Sequence, residues 1–442
     1  MNRCNFLLFS FFLSFSLAFG QVNTYSPYSY FGYGILHESG NTQNISMGGL
    51  GMTLMSKNNL NYVNPASYSF LETTSFDIGV KSSFIKMSQN DLTQKNFISG
   101  LSIIGLGFPV SDKIGIAVGL SPYSSVGYNL TTTDSLINHD ETVLESVYNY
   151  HGSGGLNELL FGFAYNILDA ENSNLSIGLN FNYLFGSISR ETTIHSDPGA
   201  YFRDKSDKIM HGLNIEVGAI YSILIEELSG YVFNWGFKLQ PKSTLHSKVN
   251  TLHSTYLGPV YNSLDTIGTN IIFEELGAIN KDPFPASYAL GFSLQDKDRK
   301  KWLIGLDYNG AGAYSSTEVQ YNFSSEVIRN YQQYLLGGFL VPNKSDIYNY
   351  FNRIEYRFGI SYASGYLDVG NIVGNKSEKL QDMSITLGFG LPMSKKLSTA
   401  NLAFKYGVMG RDDAPNYIRE NYFSVYISMT LNEKWFNKRK IE

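Results

Sequence analysis

Alternation with a period of two runs through most of this 442-residue sequence. Phe423, Val425, Ile427, Met429 and Leu431 fall on one face of a segment whose other face carries Tyr422, Ser424, Tyr426, Ser428 and Thr430. Tyr231, Phe233, Trp235, Phe237 and Leu239 alternate in the same way with Val232, Asn234, Gly236, Lys238 and Gln240. A period of two is the mark of a strand with one apolar and one polar face. A soluble sandwich also alternates, but here the apolar face often runs to about five residues, the length that tilted strands of about 9–11 residues need to cross a bilayer. After the first twenty residues no stretch of about 18 apolar residues occurs, so helical spans are not expected. A chain that crosses a membrane without such helices has to do so as a closed barrel, the other structure that satisfies its backbone in lipid.

The composition agrees. Charged residues make up 16% of the chain and aromatics 15%, while mean hydropathy stays at −0.13. Strands with one polar face keep the mean near zero; helical spans would raise it. Abundant aromatics and few charges argue against disorder. Asp+Glu at 38 exceeds Lys+Arg at 33, which argues against a nucleic-acid binder, so the basic end at Lys434, Lys438, Arg439 and Lys440 reads as a solvated tail.

The first twenty residues read as a secretory signal peptide, with Met1-Asn2-Arg3, an apolar run from Phe6 to Phe19, and small residues Ala18 and Gly20 before Gln21. The only cysteine, Cys4, lies inside it, so the processed chain is expected to contain no disulfide or thiolate site. Cleavage near Gly20 divides the chain into a signal peptide (1–20), an N-terminal hatch or plug (21–73), a transmembrane barrel (74–432) and a short periplasmic tail (433–442). The destination is the outer membrane of a Gram-negative cell.

Fourteen strands are expected, at 74–88, 97–109, 112–128, 156–168, 173–190, 208–225, 230–248, 286–296, 301–315, 328–341, 351–366, 379–392, 398–411 and 420–432. An even number suits a bacterial single-chain barrel. Short connections alternate with longer polar ones at 89–96, 129–155, 191–207, 249–285, 316–327, 367–378 and 412–419, as periplasmic turns alternate with outside loops. Alternation is blurred in 97–109, and 141–150 is placed in an outside hairpin. Tyr288, Trp302, Tyr308, Tyr362, Tyr406 and Tyr422 stand where interfacial girdles are expected.

Residues 21–73 do not alternate. They carry Gly48, Gly49 and Gly51, then Asn64-Pro65-Ala66, then the first strand. This order resembles the hatch of the FadL family of outer-membrane transporters, which includes the TodX type. The stretches Gly119 to Tyr128, Arg353 to Arg357 and Glu420 to Lys440 resemble Bacteroidota-type members. The resemblance implies an all-β fold: a 14-stranded antiparallel transmembrane barrel with an N-terminal lumenal hatch. It also implies passive uptake of small hydrophobic compounds, fatty-acid-like or aromatic, that pass a hatch-gated lumen and leave laterally through a gap in the wall. The partners so implied are outer-membrane lipid and a small hydrophobic ligand. Such barrels also serve as non-transporting scaffolds in protein secretion or surface assembly, in which case loops 129–155 and 249–285 would dock a protein.

Candidate ligand contacts in the hatch are Phe31, Met47, Leu50, Met52 and Tyr62. The lateral gap is expected near Gly105 and Gly107 or near Ser121 and Pro122, because proline removes a ladder donor. The inward face is expected to carry Glu216, Lys238, Asp307, Arg353, Glu355, Arg357 and Lys405, charges that either pair with one another and the hatch or line a polar passage. No catalytic residue, cofactor or metal site is expected. The seven histidines include no pair three or four residues apart, and Gly152-Ser153-Gly154-Gly155 lacks the lysine of a phosphate loop and the spacing of a nucleophile elbow.

Overall fold

The computed structural model describes residues 24–137, 143–196, 201–225, 230–256, 270–297, 301–312, 314–315, 327–328, 330–368, 379–393, 398–412 and 418–433. Its wall consists of β1 (Thr74–Gln89), β2 (Leu92–Ser111), β3 (Ile114–Ile137), β4 (Val143–Asp169), β5 (Ser173–Ser196) and β6 (Tyr201–Ile225). Two kinked strands follow, β7 (Tyr231–Gln240 and Ser243–Tyr256) and β8 (Asn270–Phe284 and Ser287–Gln295). The wall is completed by β9 (Trp302–Ala311), β10 (Tyr331–Leu340), β11 (Glu355–Asp368), β12 (Lys379–Pro392), β13 (Thr399–Gly410) and β14 (Arg419–Glu433). Each strand pairs antiparallel with its neighbour, and β14 returns to β1 from Arg419↔Ser88 to Glu433↔Thr74. The sheet is thus a closed antiparallel barrel of fourteen strands, the number expected from alternation.

Alternation decides what faces where. Leu159, Phe161, Phe163 and Tyr165 of β4, Trp235 and Phe237 of β7, Leu290 and Phe292 of β8, and Phe358 and Ile360 of β11 are all exposed on the outer surface. These residues belong to an apolar belt shared by nearly every strand, far more than a water-soluble surface carries and the reverse of a soluble core. Tyr308, Tyr334 and Tyr362 stand directly opposite one another in successive pairings, forming part of an aromatic girdle. Trp302 meets Tyr231 edge-on at 5.4 Å near the opposite rim. Tyr422 does not join a girdle. It faces the lumen and donates to Asp382 at 2.8 Å, because even-numbered residues of β14 point inward.

The blurred stretch 97–109 has a local cause. Gly79 pairs with Ile103 and Val80 with Leu101, so Ser102 is an extra residue on β2. One inserted residue exchanges the faces. Phe97 and Leu101 look outward above the bulge, while Ile103 is buried below it.

The structure differs from expectation at the outside loops. Residues 129–137 and 143–155 are strand, paired from Asn129↔His151 to Ile137↔Val143. Likewise 249–256 and 270–284 are strand, as is most of 191–207. Polar faces on both sides hid them, because alternation is visible only where one face meets lipid. Among the described residues β3 to β8 therefore rise well beyond β9 to β14 as a tall wall of six strands, with a two-residue ladder, Tyr314–Ser315 with Val327–Ile328, beside its β8 end. β7 and β8 kink at the same level, at Pro241-Lys242 and Pro285-Ala286, where prolines withhold ladder donors. The segment expected to begin a strand at 351 opens with a 3-10 turn, Tyr350–Arg353, capped by Asn349, whose side chain accepts from Phe351 N at 3.0 Å. Residues 1–20 lie outside the described residues, as does all of the expected tail except Glu433.

The belt can be tested with one charge. Ile304 is 45% exposed between Trp302 and Leu306, and Ile304→Arg should destabilise the barrel by about 2–4 kcal/mol. Urea titration of lipid-reconstituted protein should show a lowered midpoint, and an unchanged midpoint would mean that this face does not meet hydrocarbon.

Candidate functional site

Residues 24–73 fold inside the barrel. They contain a 3-10 turn Pro27–Tyr30, a two-residue strand Ile35–Leu36, a short helix α1 (Thr42–Ser46) and a second 3-10 turn Pro65–Phe70. Asn41 caps α1, its side chain accepting from Gln43 N at 3.0 Å and Asn44 N at 3.2 Å. Asn44 returns the contact to Asn41 N at 3.1 Å, completing a capping box. Gly48 and Gly49 follow α1 with φ of 75° and 95°, a conformation that side chains disfavour. The Asn64-Pro65-Ala66 motif has a mechanical reading. The Asn64 side chain accepts from Ala66 N at 3.1 Å, and Pro65 occupies the first turn, where its missing N–H costs nothing.

The wall is shaped to receive this segment. A Cβ on Gly178 or Gly218 would collide with Asn64-Pro65, and one on Gly337 or Gly359 with the backbone of Met47. Polar wall groups then satisfy its backbone. Asp307, fully buried, accepts from Gly51 N at 2.8 Å and Met52 N at 2.9 Å. Ser176 donates to Ala66 O at 2.7 Å, Thr386 to Ser46 O at 3.1 Å, and Tyr68 donates to Asn180 Oδ1 at 3.1 Å. Asn41 reaches Asp77 at 2.7 Å.

The inward charges are mostly partnered. Lys238 pairs with Glu216 at 3.1 Å, Arg357 with Glu355 at 2.7 Å, and Lys405 with Glu38 of the plug. Glu355 also accepts from Gln43 at 3.3 Å. Arg353 departs from expectation. It lies in the 3-10 turn before β11, over the Tyr350 ring at 5.2 Å, and so precedes the wall strand. Asp77, Lys81, Glu158, Asp382 and Glu420 face inward as well. The same parity rule would have found them; in β1, Asp77 falls between outward Phe76 and Ile78.

Of the expected ligand contacts, Met47 and Leu50 are fully buried in a cluster with Leu54, Leu303 and Phe339. Phe31 packs beside Tyr28 and Leu380. Met52 and Tyr62 border a cavity of about 380 Å³ between plug and wall. Its lining mixes apolar groups (Ile35, Leu36, Ile98, Ile103) with charged ones (Lys81, Glu158, Asp382, Lys405). His37 also lines it, with Nε2 2.7 Å from Ser125 Oγ. Burial, reinforced by the Lys81 charge, pushes its imidazole down to about 3, so His37 is neutral at ordinary pH.

One side of this cavity meets an irregular wall. β2 and β3 pair from Ser111↔Ile114 up to Ile104↔Leu120, and among the described residues no pair lies above. Gly105 and Gly107 lie within the paired stretch, opposite Gly119 and Ala117, with Tyr62 and Leu60 against them. Glycine leaves the ladder donors in place. Ser121 and Pro122 lie just beyond the last pair, and Tyr123 is an extra residue relative to β4. The freed edge of β3 is taken over by the plug: Ile35 pairs with Ser125, Leu36 with Ser124, and His37 N donates to Tyr123 O at 2.9 Å.

The closed fourteen-strand barrel is similar in fold to solved hydrocarbon channels. It matches the CymD monoaromatic hydrocarbon channel at 13% identity and a TM-score of 0.53, over 90% of this chain and 99% of that one. The Ralstonia pickettii toluene transporter TbuX matches at 12% identity and 0.52, over 89% and 98%. The Pseudomonas putida toluene transporter TodX matches at 15% and 0.51, over 90% and 99%. No curated protein matches the chain in sequence. A family model described as BamG matches residues 1–442, and the chain belongs to that family.

Asp307 offers a direct test of how the plug is held. Asp307→Ala leaves two buried N–H groups without acceptors, at about 1–3 kcal/mol each. Hydrogen exchange at Gly51 and Met52 should accelerate while the heat-modifiable barrel band persists. Unchanged exchange would remove Asp307 as the clip.

Proposed function

We propose that this protein is an outer-membrane channel for passive uptake of small hydrophobic compounds, with residues 21–73 as a hatch and the β2–β3 break as a lateral exit. The reading rests on one juxtaposition: an unpaired stretch of wall beside the cavity, held shut by a plug strand of only two residues. An apolar solute that reaches the cavity beside Ile98, Ile103 and Leu36 can leave sideways into hydrocarbon without crossing water. The hydrocarbon channels of the same fold lend the substrate class. Met52 and Tyr62, together with Ile35 and Leu36, are the proposed contacts along the route; Met47, Leu50 and Phe31 support the plug. In this reading Lys405 with Glu38 and Glu355 with Gln43 tie the plug to the wall, while Lys238 and Glu216 neutralise each other where they line the cavity. No residue set in the site is assigned a catalytic role.

A second reading, a docking scaffold in secretion or surface assembly, is favoured by a different observation. The six-stranded wall of β3 to β8 stands above the lipid belt, where uptake of a small solute does not require it.

Locking the plug strand tests the first reading. Leu36 and Ser124 are register partners, and the only natural cysteine lies in the expected leader. The double variant Leu36→Cys with Ser124→Cys should lower uptake of labelled toluene or long-chain fatty acid when oxidised and recover on reduction. Equal uptake in both states, at levels matching a deletion strain, would overturn the channel reading.

A further inference from the structure

Among the described residues the upper part of β8 is paired on one side only. Asn270–Phe284 pairs with Ser243–Tyr256 there; the two-residue strand Tyr314–Ser315 approaches the segment without a register pairing, and no described strand pairs with its other side. An edge of fifteen residues is roughly 50 Å of backbone. Its N–H and C=O groups face outward from the sheet and are a template for another strand.

The side chains have the wrong character for a solvated edge. Ile271, Ile272 and Phe273 are 55%, 58% and 46% exposed, Leu276 71% and Ile279 80%. Successive residues of a strand point to opposite faces, so this stretch is apolar on both. A lipid-facing strand is apolar on one face only, and strands apolar on both belong to the interior of a covered sheet. Edges that must stay unpaired carry lysine or proline; here Lys281 and Pro283 both lie at the base of the strand, below the apolar run from Ile271 to Ile279. Two bulges, at Ile272 and at Leu276-Gly277, turn Leu276 outward and leave Ala278 to Lys281 as an uninterrupted pairing stretch. Gly277 takes a φ of 76° there and donates to Asn250 Oδ1 at 2.9 Å. Exposed Glu274 and Glu275 add negative charge beside the apolar positions.

We infer that the free edge of β8 is a strand-addition site for an extended segment of a different polypeptide at the cell surface. That segment would carry alternating apolar residues and a basic residue opposite Glu274-Glu275. Backbone chemistry selects the occupant, because lipid cannot satisfy a row of amides. A second copy of this chain in the same membrane runs its own β8 downward at the same tilt, so the two edges cross instead of forming a ladder. The inference deepens the docking reading and is independent of the channel reading.

Two measurements test it. Every second amide from Ala278 to Lys281, the set not bonded to the Val249–His246 side, should exchange freely in detergent-purified protein and about tenfold or more slowly in native outer-membrane vesicles. A photo-crosslinking p-benzoylphenylalanine placed singly at Ile279 and Lys281 in cells should give adducts to two positions, two residues apart, on one foreign segment. Charge reversal, Glu274→Lys with Glu275→Lys, should reduce those adducts about tenfold by opposing a basic partner, with uptake unchanged. Protection already present in the purified chain, or adducts confined to its own residues 257–269 or 316–326, would mean that the chain covers its own edge. That outcome would overturn the inference, as would adducts to lipid alone, to a second copy, or none at all.

Discussion

Backbone polar groups in hydrocarbon have no water to turn to, and the ladder between β14 and β1 is what relieves this chain of the problem. Fifteen register pairs, from Arg419↔Ser88 to Glu433↔Thr74, join the last strand to the first. Once the sheet is closed, outward residues within the belt meet lipid, and inward residues meet the plug or the cavity beside it. The placement of charge and glycine follows from that division. Charges collect inside, where partners and cavity water are available, and none of the outward belt positions of β14 carries one.

The interior is a fitted one. Wall glycines at 178, 218, 337 and 359 let the plug backbone lie directly against the sheet. Wall side chains such as Asp307, Ser176 and Thr386 then supply the hydrogen bonds that a segment without its own sheet would lack. Met47 and Leu50 fill the remaining space near Leu303 and Phe339. The cavity lies where the plug leaves the lumen unfilled; its lining runs around the wall from Lys81 of β1 to Glu420 of β14, and one side of it meets the stretch in which β3 has lost β2 as a partner.

Much of this was legible beforehand because lipid imposes a strict parity. The strand number and the outward faces followed from alternation, and inward charges such as Lys238 and Arg357 from the opposite parity. What was hidden shares one physical origin. Where neither face meets lipid, parity carries no message, so 129–155 and 249–285 read as loops although they are mostly strand. Where one residue is inserted, as at Ser102, two registers overlap and alternation fades. Arg353 was misplaced because a capped 3-10 turn and the start of a strand look alike over four residues. At the break, Pro122 carried a readable reason, the missing donor, whereas glycines 105 and 107 keep theirs. Packing partners inside the lumen, Tyr68 with Asn180 or Gln43 with Glu355, join residues far apart in the chain and leave no local trace.

The twin kinks at Pro241-Lys242 and Pro285-Ala286 give the tall wall an uneven foundation. β4 to β6 carry their hydrogen-bonded rungs upward without a proline, and β3 passes Pro122 with a one-residue bulge, but β7 and β8 reach their upper halves through peptides that lack a rung. Mechanical load applied at the bare side of the wall would thus concentrate at those two prolines, on the flank away from the plug strand. The sheet can yield there as a shutter yields at its crease, leaving the aromatic girdle and the closing seam below undisturbed.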